Sequence, residues 1–280
     1  MAAFHCRLTV TTPQVNPTFK NEGLFDRNYR EASISPIDEF SMRLREINKL
    51  SPEPVGFDPL QGQLVLLGVI AAVESYIRTL FRRLIISDAI CQQKVHDKDV
   101  SYGAALHLSQ NLLPEAILER ISFISKKNIA DSVRDLLGVS GALPPALAVA
   151  LQDYDQVCQL RHCAVHRFGK LGSRNAIKLG LSDHHPLIEK PLKLDYQALQ
   201  ASILISTGLV KTLNNFLFNE MLSRLPDTTW TGVYAKDKAV FFKYYNLFAD
   251  KMSYFKAPQA NIIYKQFMDQ RKKHRAGLSF

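Results

Sequence analysis

Residues 145–169 read PALAVALQDYDQVCQLRHCAVHRFG, and the reading of this stretch governs the rest of the chain. It follows Leu143-Pro144, and a proline in the first helical turn costs nothing, because the first N–H groups of a helix have no partner within it. No further glycine or proline occurs until Gly169, a residue suited to the position just past a helix end. The spacing therefore predicts one helix over the whole segment. Its last turns hold Arg161, His162, His166 and Arg167 on an otherwise apolar background.

The neighbouring segments carry the same helical signature. Upstream, residues 59–88 read PLQGQLVLLGVIAAVESYIRTLFRRLIISD. Leu64, Leu67, Ala71, Glu74, Ile77 and Phe81 recur at spacings of three and four, which predicts one helix face with Glu74 inside the apolar stripe and Arg78, Arg82 and Arg83 on its flanks. Ser101 to Gln110, Pro114 to Ser125 and Asn128 to Leu137 read as shorter helices, the last ended by Gly138. Downstream, Gly172, Gly180, Pro186 and Pro191 interrupt residues 170–194, where Ala176-Ile177-Lys178-Leu179 reads as a short strand, an excursion of the β-hairpin kind. Asp195 then caps a helix from Tyr196 to about Leu225.

The two ends differ from this centre. Pro13, Pro17, Pro36, Pro52 and Pro54 punctuate a polar N-terminal region, in which Ser35-Pro36 starts a short helix from Ile37 to Lys49. From about Thr228 the chain is aromatic and basic. Trp230, Tyr234, Phe241, Phe242, Tyr244, Tyr245, Phe248, Tyr254, Phe255, Tyr264 and Phe267 are interleaved with lysines and read first as core, then as a base-stacking platform. The lysines and Arg271 to Arg275 either track a nucleic-acid backbone or form a solvated end.

Composition sets the outer bounds. The chain has 280 residues, 46% hydrophobic and 22% charged, which is enough apolar material for a core. Thirty-five Lys and Arg against twenty-six Asp and Glu give a net charge of +9, in keeping with a polyanionic partner such as RNA. Cys6, Cys91, Cys158 and Cys163 include no C-x-x-C pair, which argues against a zinc ribbon or a thioredoxin-like site and fits a reducing compartment. The polar, Thr-rich sequence after Arg7 does not resemble a signal peptide, and the longest apolar run, Leu64 to Val73, is short for a bilayer. The expectation is a cytoplasmic protein without membrane attachment.

The chemistry lies in 155–167. His162 and His166, four residues apart, share a helix side, and Arg161 reaches the same cleft. Polar groups of this kind near a core need partners or a function. An imidazole, with an unperturbed pKa of roughly 6.5, either takes or gives a proton near neutrality. A guanidinium matches the non-bridging oxygens of a phosphate under attack. Together they suit cleavage of RNA through its 2′-hydroxyl, a scheme that needs no metal or cofactor.

The same residues resemble the motif of HEPN domains: an arginine, a polar residue and a histidine, here Arg161, His162 and His166, with four residues between arginine and final histidine. The motif's place near the end of a penultimate core helix, followed by a break and a long last helix, is similar too. So is the opening helix with Glu74 in AAVESYIRTLFRRL. The resemblance covers roughly residues 58–225. It implies an all-α, up-and-down helical bundle and a metal-independent endoribonuclease that leaves 2′,3′-cyclic phosphate and 5′-hydroxyl ends, of toxin or antiphage-defence type. It also implies a homodimer with both motifs in one cleft, and an antitoxin or activating partner. Arg161 would bind the scissile phosphate, and His166 would act as base or acid. His162 fills the polar slot, commonly Asn or Asp in the family, and would orient the phosphate or share the proton transfer. Glu74 would hold Arg161 or a histidine in place. Arg78, Arg82, Arg167 and Lys170 are the expected contacts to the RNA backbone.

The expected organisation is an N-terminal arm over 1–57, a HEPN-like helical domain over 58–227 and a basic aromatic C-terminal extension over 228–280. Competing readings stand beside it. Arg161, His162 and His166 also suit a helix C-terminus meeting the macrodipole. Glu74 also suits an i, i+4 pair with Arg78. His162 and His166 with Cys158 or Cys163 form a weaker zinc alternative, without the glutamate of an H-E-x-x-H site and with Cys163 off the histidine face. His184-His185 reads as loop. In function, the rivals are a non-catalytic module that binds RNA, a nucleotide or a protein, and a scaffold with a vestigial motif.

Overall fold

Short polar side chains and prolines start most of the helices. The computed structural model describes residues 4–12 and 14–277, and among them the fold is all-α. The helices are α1 (Pro36–Asn48), α2 (Pro59–Ser87), α3 (Ala89–Lys94), α4 (Tyr102–His107), α5 (Leu113–Leu118), α6 (Lys126–Leu137), α7 (Pro145–Arg167), α8 (Ser173–His184), α9 (Tyr196–Ser223), α10 (Tyr234–Phe248) and α11 (Ala260–Arg275). Ser35, Asp58, Asp88, Ser101, Ser125 and Asp195 each accept a hydrogen bond from the first-turn N–H groups of the helix they precede. Each satisfies a donor that the helix itself leaves unpaired. Gly138 ends α6 at φ 67°, a left-handed conformation that costs glycine little.

The chain divides into two compact units, residues 1–33 and 34–280. The first, in its described residues, is largely solvent-exposed, with one 3₁₀ turn at Glu22–Leu24. The second contains all eleven α-helices found among the described residues. This division differs from the boundaries expected from sequence. Helix α1, expected in the arm, buries Ile37 and Phe40 and packs along α2. Helices α10 and α11, expected in an extension, bury Phe241, Tyr244, Tyr245, Phe248 and Tyr264 in the same core as α2 and α9. Proline-rich or basic composition marks where a chain changes character, whereas a buried apolar face decides what it packs with.

At the centre α9 lies along α7, and α2 packs against α9 and α7. The buried face of α2 runs through Leu66, Val69, Ile70, Val73, Tyr76, Ile77, Leu80, Phe81 and Leu84. Of the expected stripe only Ile77 and Phe81 lie on it: Leu67 and Glu74 are half-buried, Leu64 is 61% exposed and Ala71 is also exposed. An almost continuously apolar helix has no single stripe in its sequence, and its neighbours choose the face. By length and composition α2 is long and apolar enough to cross a membrane, and more than half of its most apolar window is buried against the protein.

Residues 170–194 form a helix where a strand pair was expected. Ala, Lys and Leu in the run Ala176–Leu179 are good helix formers, and only Ala176 of the four is buried, so no alternation holds it as a strand. Gly180, at φ 108° and ψ 102°, breaks the helix near its end. The segment returns to its origin through one isolated bridge, Lys170 with Pro191, and through Leu171 N–H to Lys190 O at 3.0 Å and Leu192 N–H to Gly169 O at 2.8 Å.

Candidate active site at the end of α7

Helix α7 is clamped where its chemistry begins. Asp155 accepts a hydrogen bond from the Lys126 N–H at 2.9 Å, at the start of α6. Gln159, only 1% exposed, donates to the Asp155 main-chain O at 3.2 Å and accepts from Asn175 Nδ2 of α8 at 3.1 Å. This chain of bonds ties α6, α7 and α8 together one turn before Arg161. A buried amide with partners on both sides fixes the helix in register as well as in place.

Beyond the clamp the side chains open to solvent. Arg161 and His162 are half-buried and His166 is exposed. The two imidazoles stand one turn apart with ring centroids 5.9 Å apart and planes within 21°, so both present their edges to one side. No side-chain hydrogen bond or ion pair engages Arg161, His162 or His166 among the described residues, leaving their polar atoms available. The His162 pKa lies below the usual histidine value. Partial removal from water is the largest cause, followed by the positive charges of Arg161, Lys178 and His166, with Asp155 opposing. His162 is therefore biased toward the neutral imidazole at neutral pH.

The helix ends with two left-handed residues, Phe168 at φ 49° and Gly169 at φ 89°. Both N–H groups point back to the Cys163 carbonyl, with Gly169 N at 3.0 Å. A Cβ on Gly169 would lie 3.1 Å from Gln63 Oε1, so the close approach of α2 reinforces the need for glycine. Phe168 is 82% exposed, and a bulky residue in this conformation is uncommon. Val165 and, on α8, Ile177 are exposed as well.

The other expected site residues are placed differently. Glu74 accepts the Phe123 N–H at 3.1 Å and makes no ion pair with Arg161 or Arg78; it anchors the loop before α6. Its charge and that of Arg161 both act on the buried Tyr154 and Cys158, which places them on the same region of α7 without contact. Arg78 bonds the Ile121 carbonyl at 3.2 Å, approaches Glu115 at 3.6 Å and lies over the Phe123 ring. Arg82 also faces Glu115, at 3.9 Å. These two arginines brace α5 and the loop behind it instead of lining a phosphate path. Arg167 pairs with Glu189 and closes the 170–194 excursion. Of the four expected backbone contacts, Lys170 alone keeps an exposed side chain with no ion pair among the described residues.

Lys178 was missed because the segment was expected to be a strand. On a helix it lies one turn from Asn175, the residue that bonds Gln159, and its charge reaches His162. The spacing of three between Asn175 and Lys178 was the available signal. Cys158 and Cys163 are buried, and burial pushes their thiols up, Cys158 to about 12. Neither is poised as a nucleophile or a thiolate ligand at neutral pH. Among the described residues no three His, Cys, Asp or Glu side chains gather as a metal site. His184 bonds the Gly180 carbonyl through Nδ1 at 2.8 Å, locally within its own segment.

Comparison of the chain with protein-family models, with curated proteins and with solved structures returned no match.

Proposed function

We propose that this protein is a metal-independent endoribonuclease of the HEPN type, acting through Arg161, His162 and His166. The observation that carries the reading is the pair of nearly parallel imidazoles, 5.9 Å between centroids, next in sequence to an arginine that has no ion pair among the described residues. A purely structural helix end would have drawn such groups into caps or ion pairs, as happens to Arg167.

His162, biased toward its neutral form, takes the proton of the 2′-hydroxyl. The 2′-oxygen attacks the adjacent phosphorus, and Arg161 holds the non-bridging oxygens as negative charge builds there. The bond from phosphorus to the 5′-oxygen breaks, and that oxygen receives a proton from His166. The products are a 2′,3′-cyclic phosphate and a 5′-hydroxyl. Lys178 adds positive charge that acts on His162.

Phe168, Val165 and Ile177, exposed beside the motif, support a homodimer in which two copies of the site share one groove. A toxin or defence role, with an antitoxin or an activating partner, belongs to the same reading.

The test is incubation with tRNA or total RNA in the presence of EDTA, for the parent protein and for Arg161→Ala and His166→Ala. The expected result is cutting by the parent alone, fragments with cyclic 3′ phosphates, and equal folding of all three. Binding without cutting in all three would establish the non-catalytic module in its place.

A further inference from the structure

Among the described residues the C-terminal aromatic side chains are almost all core, and the two exceptions lie side by side. Tyr254 is 92% exposed and Phe255 82% exposed, with rings edge-on at 4.9 Å. The loop that carries them, between α10 and α11, is firmly held. The buried carboxylate of Asp38 accepts the Lys251 N–H at 2.7 Å and the Met252 N–H at 2.9 Å. Ser35 Oγ donates to the Ala249 carbonyl at 2.7 Å, Tyr245 OH donates to the Pro258 carbonyl at 2.9 Å, and Arg45 bonds the Met252 carbonyl. A backbone fixed at this many points while its two largest side chains face water is a display, since burying them would have been favourable.

The surroundings define what is displayed to. Beneath Phe255 lies a cavity of about 300 Å³ between α9 and α10, walled by Phe218, Phe248 and Asn215. Asn214 also lines it, with its amide already engaged by the Tyr76 hydroxyl and the Phe248 carbonyl. A second hollow of about 250 Å³ adjoins it, sharing Lys211 and Phe255 and reaching Arg45 and Tyr254. Lys211 and Lys256 line the first cavity and carry no ion pair among the described residues. Of the carboxylates, Asp38 holds the loop, and Asp250, which also lines the first cavity, accepts the Ser253 N–H at 2.9 Å.

We infer that the 249–258 loop, with Lys211 on α9, is a binding site for single-stranded RNA. Bases stack on Tyr254 and Phe255, one base enters the cavity against the Asn215 amide, and Lys211 and Lys256 meet the flanking phosphates. Exposed aromatic faces interleaved with cations are the usual means of holding a single strand without reading duplex grooves. A membrane surface would use the same aromatics and lysines but would leave the cavity idle, and the cavity with its amide edge favours a nucleobase. The inference rests on RNA as the substrate proposed above and adds a second place where the strand is held.

The experiment uses the full chain and a fluorescent 2′-O-methyl RNA 12-mer, which lacks the attacking hydroxyl and stays uncut. Anisotropy titration of the Tyr254→Ala/Phe255→Ala double variant should show binding weakened about tenfold or more, because stacking on an aromatic ring is of that size per base. Lys211→Ala/Lys256→Ala should flatten the salt dependence by about 0.7 in log–log slope per lysine lost. Binding by the aromatic double variant equal to that of the parent overturns the site, as does a parent that binds phosphatidylserine vesicles and not the oligomer. Cleavage of ordinary RNA separates the two readings. A raised KM with kcat retained in the aromatic variant supports this site. Cutting with KM unchanged removes this site and leaves the nuclease. Oligomer binding lost in the aromatic variant, from a parent that cuts no RNA, supports the site and removes the nuclease.

Discussion

Arg224 and Arg161 are the same side chain in opposite circumstances. Arg224, at the end of α9, pairs with Asp88, donates to the Leu137 carbonyl at 2.6 Å and to Cys91 Sγ at 3.2 Å, and is mostly buried. Asp88 itself caps α3 and accepts the Tyr244 hydroxyl at 2.8 Å. Burial would raise the Asp88 pKa, yet hydrogen bonds from Arg224, the Cys91 N–H and Tyr244 outweigh it and hold the carboxyl below its ordinary value. Arg161, half-buried on α7, has no carboxylate within ion-pair distance and no side-chain hydrogen bond among the described residues. One arginine completes the connection between the ends of α2, α6, α9 and α10. The other leaves its charge for something outside the chain. Arginine in a helix thus carries no functional meaning by itself, and what its guanidinium already holds decides the reading.

The largest effect should come from the first of the two. Arg224→Ala leaves Asp88 charged, buried and without its main partner, a situation that costs about 3–5 kcal/mol. Urea denaturation should show that loss, and an Arg224→Ala protein as stable as the parent would erase the contrast. Arg161→Ala should do the reverse. Its stability should stay within about 0.5 kcal/mol of the parent, as for a half-buried surface position without hydrogen-bond or ion-pair partners. RNA cleavage should fall about 10²- to 10³-fold, the scale for losing one donor to a developing oxyanion. A stability loss comparable to that of Arg224→Ala would place Arg161 among the structural arginines.

A smaller effect tests how the motif helix ends. Gly169→Ala forces a side chain into a left-handed backbone and against Gln63. The cost should exceed about 1 kcal/mol, since alanine at positive φ reverses its usual advantage over glycine. Thermal unfolding measures it, and a neutral result would mean that the α7 terminus relaxes freely. In that case the exposed Phe168 would not be held in its place beside the histidines.

The central helices were readable from sequence because their punctuation is strong. Ser35-Pro36, Pro144-Pro145, Asp195 and Gly138 all act through local chemistry, and each sits at the helix end it marks. The closeness of the His162 and His166 rings was readable for the same reason, since helical spacing puts them on one side. What depends on tertiary partners was not readable. The face of α2 is settled by α1, α7 and α9, and the diversion of Arg78 and Arg82 to Glu115 and the use of Glu74 as an anchor for Phe123 N–H by elements 30 to 50 residues away. Residues 173–184 failed for a different cause. The glycines and prolines of 170–194 signal interruption, while the residues between them favour the helix that carries Lys178.

Lys178 provides the finest discrimination between a site and a helix end. Removal from water, then Arg161, Lys178 and His166, lower the His162 pKa, while Asp155 raises it. The folded protein therefore takes up this proton less readily than the unfolded chain. The stability that follows is fully present above the unfolded histidine value of roughly 6.5 and is lost as pH falls through the lowered folded value. Lys178→Met removes one of the three charges and should move the His162 pKa upward, toward the unperturbed value. NMR titration of the imidazole Cε1–H resonances reads this directly and does not depend on any enzymatic activity. If His162 is the base, the acidic limb of the cleavage profile moves to higher pH in the variant, by the same direction and amount as the NMR pKa. An unmoved His162 would separate Lys178 from the cleft. A moved His162 with an unmoved cleavage limb would instead transfer the role of base to His166, whose exposed ring stands one turn further along the same helix.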